Sequence, residues 1–282
     1  MIITTLVENN RLPERDDLAT EKGLSLHIQY AGKNILFDTG VKGAIINNAR
    51  RLNVDLSTVD FAVISHHHFD HGGGLPDFLD VNSKAPVYMR GRRGESHYFR
   101  SLLGFSRYVG LDEEMFTKYP DRFQFVDQLS EISPGVFILT EMGSSYSQPR
   151  GNRLLYLKKG NAWSPDPFYH ELIMVIEEGD GLVVFTGCGH SGILNMVEAA
   201  TRQFPDKPIK AVLGGFHQIL FPQFNFMAGS KGEVASLGRS ILEFPVEMVY
   251  TGHCTGLKAY QVLKEVMGDR LAYLLTGCVI EI

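Results

Sequence analysis

Four side chains able to ligate a metal ion fall close together in ISHHHFDHGGG, residues 64–74: His66, His68, Asp70 and His71. The apolar run before them, FAVIS, reads as a strand, and strand side chains alternate, so His66 and His68 leave it on one side and His67 on the other. Asp70 and His71 follow in the turn, where Gly72, Gly73 and Gly74 let the backbone close tightly before the next helix. Imidazole and carboxylate suit zinc, iron or manganese, and adjacent groups of this kind can hold two ions side by side. Clustered histidines beside an aspartate are costly to assemble without such a task.

Similar side chains stand at the ends of other apolar runs. Asp38 closes ILFDTG (35–40), Cys188 and His190 lie in FTGCGHSG (185–192), His217 in GGFHQ (214–218) and His253 in YTGHCTG (250–256). Two of these have a double reading. Cys188 is either a thiolate ligand or a small buried residue beside a ligating His190. His217 is either a hydrogen-bonded loop histidine or a substrate contact and proton donor.

The elements that must position these groups are legible as short β-branched runs alternating with helical periodicity. Strands are expected at 3–7, 24–30, 34–40, 61–68, 135–141, 170–178, 181–190, 209–217, 246–253 and 272–277. Apolar spacings of three and four predict helices at 41–53, 192–204, 232–244 and 256–268. Such alternation implies an α/β chain, sheets covered by helices, with functional residues at strand ends. Two stretches break the rhythm. Residues 88–128, rich in arginine and aromatic residues, read as an inserted helical lid, and residues 142–168 as a long irregular connection.

With the elements in place, HHHFDH fits the HxHxDH motif of the metallo-β-lactamase superfamily, and ILFDTG resembles the Asp-bearing strand end that precedes it there. The resemblance covers the whole chain. It implies one domain over residues 1–282, an αββα four-layer sandwich of two mixed β-sheets with helices outside, and two divalent ions, zinc in the first place with iron or manganese as alternatives. By that resemblance His66 and His68 serve the first ion, Asp70, His71 and His253 the second, with His190 and Cys188 as further ligands, and Asp38 orients them from behind. Cys188 departs from the pattern, since the superfamily often has a bridging Asp there. DTG, HHHFDH, TGCGHSGI, GGFH and HCTG together resemble a narrower subgroup, proteins similar to an archaeal synthase that joins a dihydropterin methyl group to a ribofuranosyl-aminobenzene phosphate.

The expected chemistry is hydrolysis of an ester or phosphoester bond in a small anionic substrate by a metal-bound hydroxide, with Asp70 and His217 as the catalytic side chains. The subgroup offers a second reaction, C–N bond formation in which an arylamine displaces a dihydropterin diphosphate, and a third reading is a non-catalytic metal-binding ligand sensor. Candidate substrate contacts are Arg92, Arg93, Tyr98, Arg107, Tyr146 and Arg153, from a wider set of aromatic residues (Phe99, Phe105, Tyr108, Trp163, Phe168) and arginines (Arg90, Arg100, Arg150).

Bulk properties narrow the field further. The chain has 282 residues, 44% hydrophobic, and a formal net charge of −5, so a nucleic-acid role would need a local basic patch. The N-terminus lacks a basic start followed by an apolar core, and no apolar run is long enough to span a bilayer, which points to the cytoplasm. Three cysteines are too few for a disulfide framework and fit a reducing compartment. A homo-oligomer is compatible with the aromatic residues of the expected lid.

Overall fold

Two mixed seven-stranded sheets carry the chain, and in each the strands divide into an antiparallel half and a parallel half. The computed structural model describes residues 1–91, 94–101, 104–221 and 226–282. The chain forms two compact units, the first comprising residues 1–93, 109–127 and 274–282, the second residues 94–108 and 128–273.

In the first unit the strand order is Val279–Glu281, Ile2–Val7, Ser25–Tyr30, Lys33–Phe37, Phe61–Val63, Val87–Met89, Phe123–Phe125. The first four run antiparallel and the last four parallel. Parallel neighbours need a crossover, which the helices Ala44–Arg51 and Leu75–Val81 supply. Ala44, Ile45, Ala49, Leu75, Phe78 and Leu79 on those helices are buried with Leu36, Ala62 and Val87 of the strands in one apolar cluster. In register, Phe37 pairs with Val63, so the residues that follow, Asp38 and Ile64–His66, emerge side by side at the carboxyl ends of adjacent strands.

The same sheet holds His27, 4% exposed on Ser25–Tyr30, whose pKa burial pushes below the ordinary imidazole value against a hydrogen bond to the Asn34 side chain. A base whose folded pKa is depressed contributes stability above its unfolded value, about 6.5, and loses it as pH falls through the folded value. Wild type should therefore lose stability relative to His27→Gln when denaturant melts are compared from about pH 7.5 down to about pH 5; equal pH slopes would refute the assignment.

The second unit repeats the arrangement with the order Leu271–Tyr273, Val246–Thr251, Ile209–Gly214, Gly181–Phe185, Ile173–Glu178, Val136–Leu139, Ser130–Ser133. The first four are parallel and the last four antiparallel. Helices Ile193–Gln203, Lys231–Leu242 and Leu257–Met267 bury Met196, Val197, Ala200, Val234, Ile241, Ala259 and Leu263 with Val184, Val212 and Val249 of the strands. Ser230 and Glu233 form a capping box that fixes the start of the second of these helices.

The expected helical lid over 88–128 is corrected by the fold. Among its described residues only Glu114–Lys118 is α-helical. Ser96–Arg100 and Ser106–Tyr108 instead form a hairpin that joins Leu155–Lys159 and Ala162–Pro165 in a four-stranded sheet, so the connection 142–168 is not wholly irregular either. The strand pairing places His97, which is buried, on one face of SHYFR and Tyr98 and Arg100 on the other.

Candidate metal centre

The first ligand group is organised by Asp38. Its backbone N–H donates to Val63 O at 2.9 Å and its φ is +58°, a left-handed conformation that turns the carboxylate toward the neighbouring strand end. Oδ1 accepts the Ser65 N–H at 2.8 Å, while Oδ2 accepts the Ser65 hydroxyl at 2.8 Å and pairs with His71 Nδ1 at 2.6 Å. Ser65 Oγ is also 2.9 Å from His66 Nδ1. Asp38, Ser65, His66 and His71 are each 0% exposed. A carboxylate fixing Nδ1–H leaves the Nε2 lone pair of His71 as the ligating face, and the serine does the same for His66.

The candidate ligands converge within this unit. The His66 ring lies 4.6 Å from that of His68 and 4.2 Å from that of His71, and Asp70 Oδ2 is 4.0 Å from His71 Nε2. The strand expected to run to His68 ends at Val63, and His67, in the bend beyond it, turns away to meet Arg90 O at 3.0 Å through Nε2. The turn Phe69–Gly72 is pinned by Thr39, whose N–H and hydroxyl both donate to His71 O, at 2.6 and 3.0 Å. A Cβ on Gly73 would sit 2.3 Å from both Phe69 O and Val41 O. Both neighbours are backbone, so Gly73→Ala should cost about 1–3 kcal/mol and lower the melting temperature by several degrees; a melting curve identical to wild type would show that the turn yields at no cost.

The second ligand group follows the parallel strands of the other sheet. Gly181–Phe185 runs on into Cys188 and His190, Ile209–Gly214 into His217, and Val246–Thr251 into His253. Donor atoms of Cys188, His190 and His217 lie within 4.8 Å of one another, and Cys188 Sγ is 3.4 Å from His253 Nε2. His217 Nδ1 is buried with no hydrogen-bond partner among the described residues. Close approach of these loops requires glycine at 214, where a Cβ would meet Thr186 O at 1.9 Å and φ is +139°. Among the described residues, Asp38, Phe168, His217 and His253 are four of the six non-glycine residues with positive φ, so backbone strain is concentrated at these loops.

His190 is held on every side. Its Nδ1 is 2.9 Å from Asn152 Oδ1, and the same amide donates back to His190 O at 2.8 Å. Phe168 stacks on the ring with centroids 4.4 Å apart and planes 7° from parallel. Glu171, 2% exposed, accepts the N–H groups of His190 at 2.8 Å and Ser191 at 2.6 Å. Burial raises its carboxyl to about 7, against those hydrogen bonds and the nearby His217. Burial likewise opposes ionisation of Cys254, but Cys188, His253 and His217 together hold its thiol well below the usual range.

The donor set fits divalent metal: imidazoles with one nitrogen tied off, a carboxylate and a buried thiol. Ser65 and Asn152, absent from the sequence reading, tie the rings of His66 and His190, and Glu171, likewise absent, holds the His190 backbone. The expected substrate contacts are more dispersed. Tyr98 lies 5.5 Å from Tyr108 and 5.1 Å from Trp163 by ring centroids, with Arg100 4.9 Å above the Trp163 ring. Arg107 is exposed on the adjoining strand. Tyr146 packs elsewhere in the same unit, 6.2 Å from Phe244, and Arg153 is exposed on the short helix Arg150–Leu154. Arg150 pairs with Glu233. Arg92 and Arg93 lie outside the described residues.

The family model of the metallo-β-lactamase superfamily matches residues 21–253. The chain belongs to this superfamily. Among curated metallo-β-lactamase relatives, 7,8-dihydropterin-6-methyl-4-(β-D-ribofuranosyl)-aminobenzene-5'-phosphate synthase of Methanocaldococcus jannaschii is 26% identical over 274 residues, 93% of this chain and 90% of that protein. The crystal structure of Tm1679, described as a metal-dependent hydrolase of the β-lactamase superfamily, superposes with a TM-score of 0.83 at 28% identity, covering 100% of this chain and 99% of that one. The metallo-β-lactamase resemblance to endoribonuclease YSH1 of Kluyveromyces lactis, 35% identical over 92 residues, spans only 28% of this chain and 12% of that protein. Among the described residues no helix is long and apolar enough to cross a membrane.

Proposed function

We propose that this metallo-β-lactamase-superfamily chain is a dinuclear metal-dependent hydrolase of an ester or phosphoester bond in a small anionic substrate. The observation that carries the reading is the fixing of imidazole faces: Asp38 on His71, Ser65 on His66 and Asn152 on His190 each engage Nδ1 and present Nε2. His66, His68, Asp70, His71, His190, His253 and Cys188 are the proposed ligands, with zinc as the first choice and iron or manganese as alternatives. When bound, such ions supply Lewis acidity and make a coordinated water acidic enough to serve near neutral pH.

The chain's own residues do the rest. Asp38 keeps the proton of His71 on Nδ1, so the ligand needs no tautomeric change. Asp70 is placed to hold a proton from the attacking water, and His217, with its buried Nδ1, to give one to the leaving group. Arg107 and Arg153, both exposed, offer bidentate donors to an anionic substrate, and Tyr98 offers it an aromatic face.

A second reading rests on the synthase from Methanocaldococcus jannaschii, matched over 93% of this chain: a transferase that joins an arylamine to a dihydropterin carbon with loss of diphosphate. Metal content by elemental analysis, beside turnover of phosphodiester, phosphomonoester, thioester and lactone probes, separates the two. At least two equivalents with turnover of one probe supports the hydrolase. At least two equivalents with none, and diphosphate release from a dihydropterin diphosphate plus arylamine, replaces it with the transferase. Cys188→Ser tests the thiolate: loss of about one equivalent is expected, and unchanged content would return Cys188 to packing.

A further inference from the structure

A second set of ligand-type side chains, none of them given a role above, lies in the second unit. His97 comes from the buried face of Ser96–Arg100, and Asp166 and His170 from the segment between Ala162–Pro165 and Ile173–Glu178. All three are buried, at 8%, 6% and 6% exposure. Asp166 Oδ2 is 3.1 Å from His97 Nδ1 and 3.1 Å from His170 Nε2, and the two imidazole rings are 4.1 Å apart. The other oxygen is committed: Oδ1 accepts the Phe168 N–H at 2.7 Å, which orients Oδ2 toward both rings. The segment is itself anchored, since the Asp166 N–H donates to Leu155 O at 3.1 Å and the Glu171 N–H to Phe168 O at 3.0 Å.

We propose that His97, Asp166 and His170 form a further divalent-cation site. Two imidazoles and one carboxylate are the donors that zinc, iron(II) and manganese(II) accept. The spacing agrees. Donors each about 2.0–2.1 Å from one ion and at right to tetrahedral angles are separated by about 3 Å, the distance at which Asp166 Oδ2 stands from each imidazole nitrogen. Without a cation one carboxylate oxygen serves both imidazoles; an ion would engage all three groups at once. The burial also argues for it, because two imidazoles and a carboxylate enclosed together are stabilised most when their charges and lone pairs converge on one partner.

The test titrates metal-free protein with zinc alone, and with cobalt(II) alone for its visible spectrum, in wild type, Asp166→Asn, His170→Gln and His71→Ala. The first two variants are expected to bind about one equivalent fewer than wild type and to lose one component of the cobalt spectrum, with His71→Ala losing a different component. Unchanged stoichiometry and spectrum in Asp166→Asn and His170→Gln would overturn the site and make the trio a hydrogen-bonded cluster. Should either variant unfold, anomalous diffraction at the zinc edge from wild-type crystals decides: a peak among the three side chains supports the site, and its absence overturns it. The dinuclear reading fails separately. A wild type holding one ion that only Asp166→Asn and His170→Gln remove would leave this site standing without the other.

Discussion

Replacing His71 by alanine is expected to remove at least one metal equivalent from the proposed dinuclear centre and to abolish most turnover, a larger loss than any neighbouring polar substitution. His71 is proposed as a ligand through Nε2, whereas Asp38 acts through His71 Nδ1, 2.6 Å away. Loss of such an outer partner typically weakens metal affinity by about 10–100-fold, so Asp38→Asn should retain both ions at saturating zinc and release them sooner to a chelator. Elemental analysis and chelator titration of the two variants check the order. If His71→Ala keeps its full metal content and activity, the ligand assignment collapses; if Asp38→Asn equals wild type, the carboxylate is not tuning the imidazole.

Removal of Glu171 is expected to produce the largest loss of stability among single polar substitutions. The carboxylate is 2% exposed and accepts two N–H groups, from His190 and Ser191, that reach it from 19 and 20 residues away in sequence. Glu171→Ala strands both donors, at about 1–3 kcal/mol for each buried amide left without an acceptor. Glu171→Gln keeps one carbonyl acceptor and should recover a substantial part. Denaturant melts of the metal-free variants report this directly, and an alanine variant as stable as the glutamine would show that water replaces the carboxylate without penalty. Metal affinity should fall with stability in the alanine variant, since the latch holds the His190 backbone.

These two residues mark the boundary between what could be read from sequence and what could not. His66, His68, Asp70 and His71 were legible because their spacing is local, although the strand ends at Val63 and the bend and short helix beyond it bring them together. The long helices were legible too: the expected 192–204 and 256–268 correspond to Ile193–Gln203 and Leu257–Met267, since their apolar faces repeat at helical period. Glu171 stood inside the run HELIMVIEE and read as the start of a strand, yet the strand begins at Ile173 and the carboxylate turns to a loop beyond the next strand. Its partners are backbone amides, which carry no sequence signature. The four-stranded sheet escaped notice for a different reason: SRY is exposed throughout and AWSP nearly so, leaving no buried face to impose alternation.

The placement of every ligand proposed for the dinuclear centre after a parallel strand bears on descent. Strands such as Lys33–Phe37 and Phe61–Val63 are set in register by buried apolar residues well before the chain reaches Asp38 or His66. Loops beyond those carboxyl ends can therefore lengthen, shorten or exchange side chains without shifting the pairing beneath them. A lineage built on this frame can change what it acts on by editing its rims while inheriting its metal donors intact. A synthase and a hydrolase resembling one chain at 26% and 28% identity is the pattern such inheritance leaves.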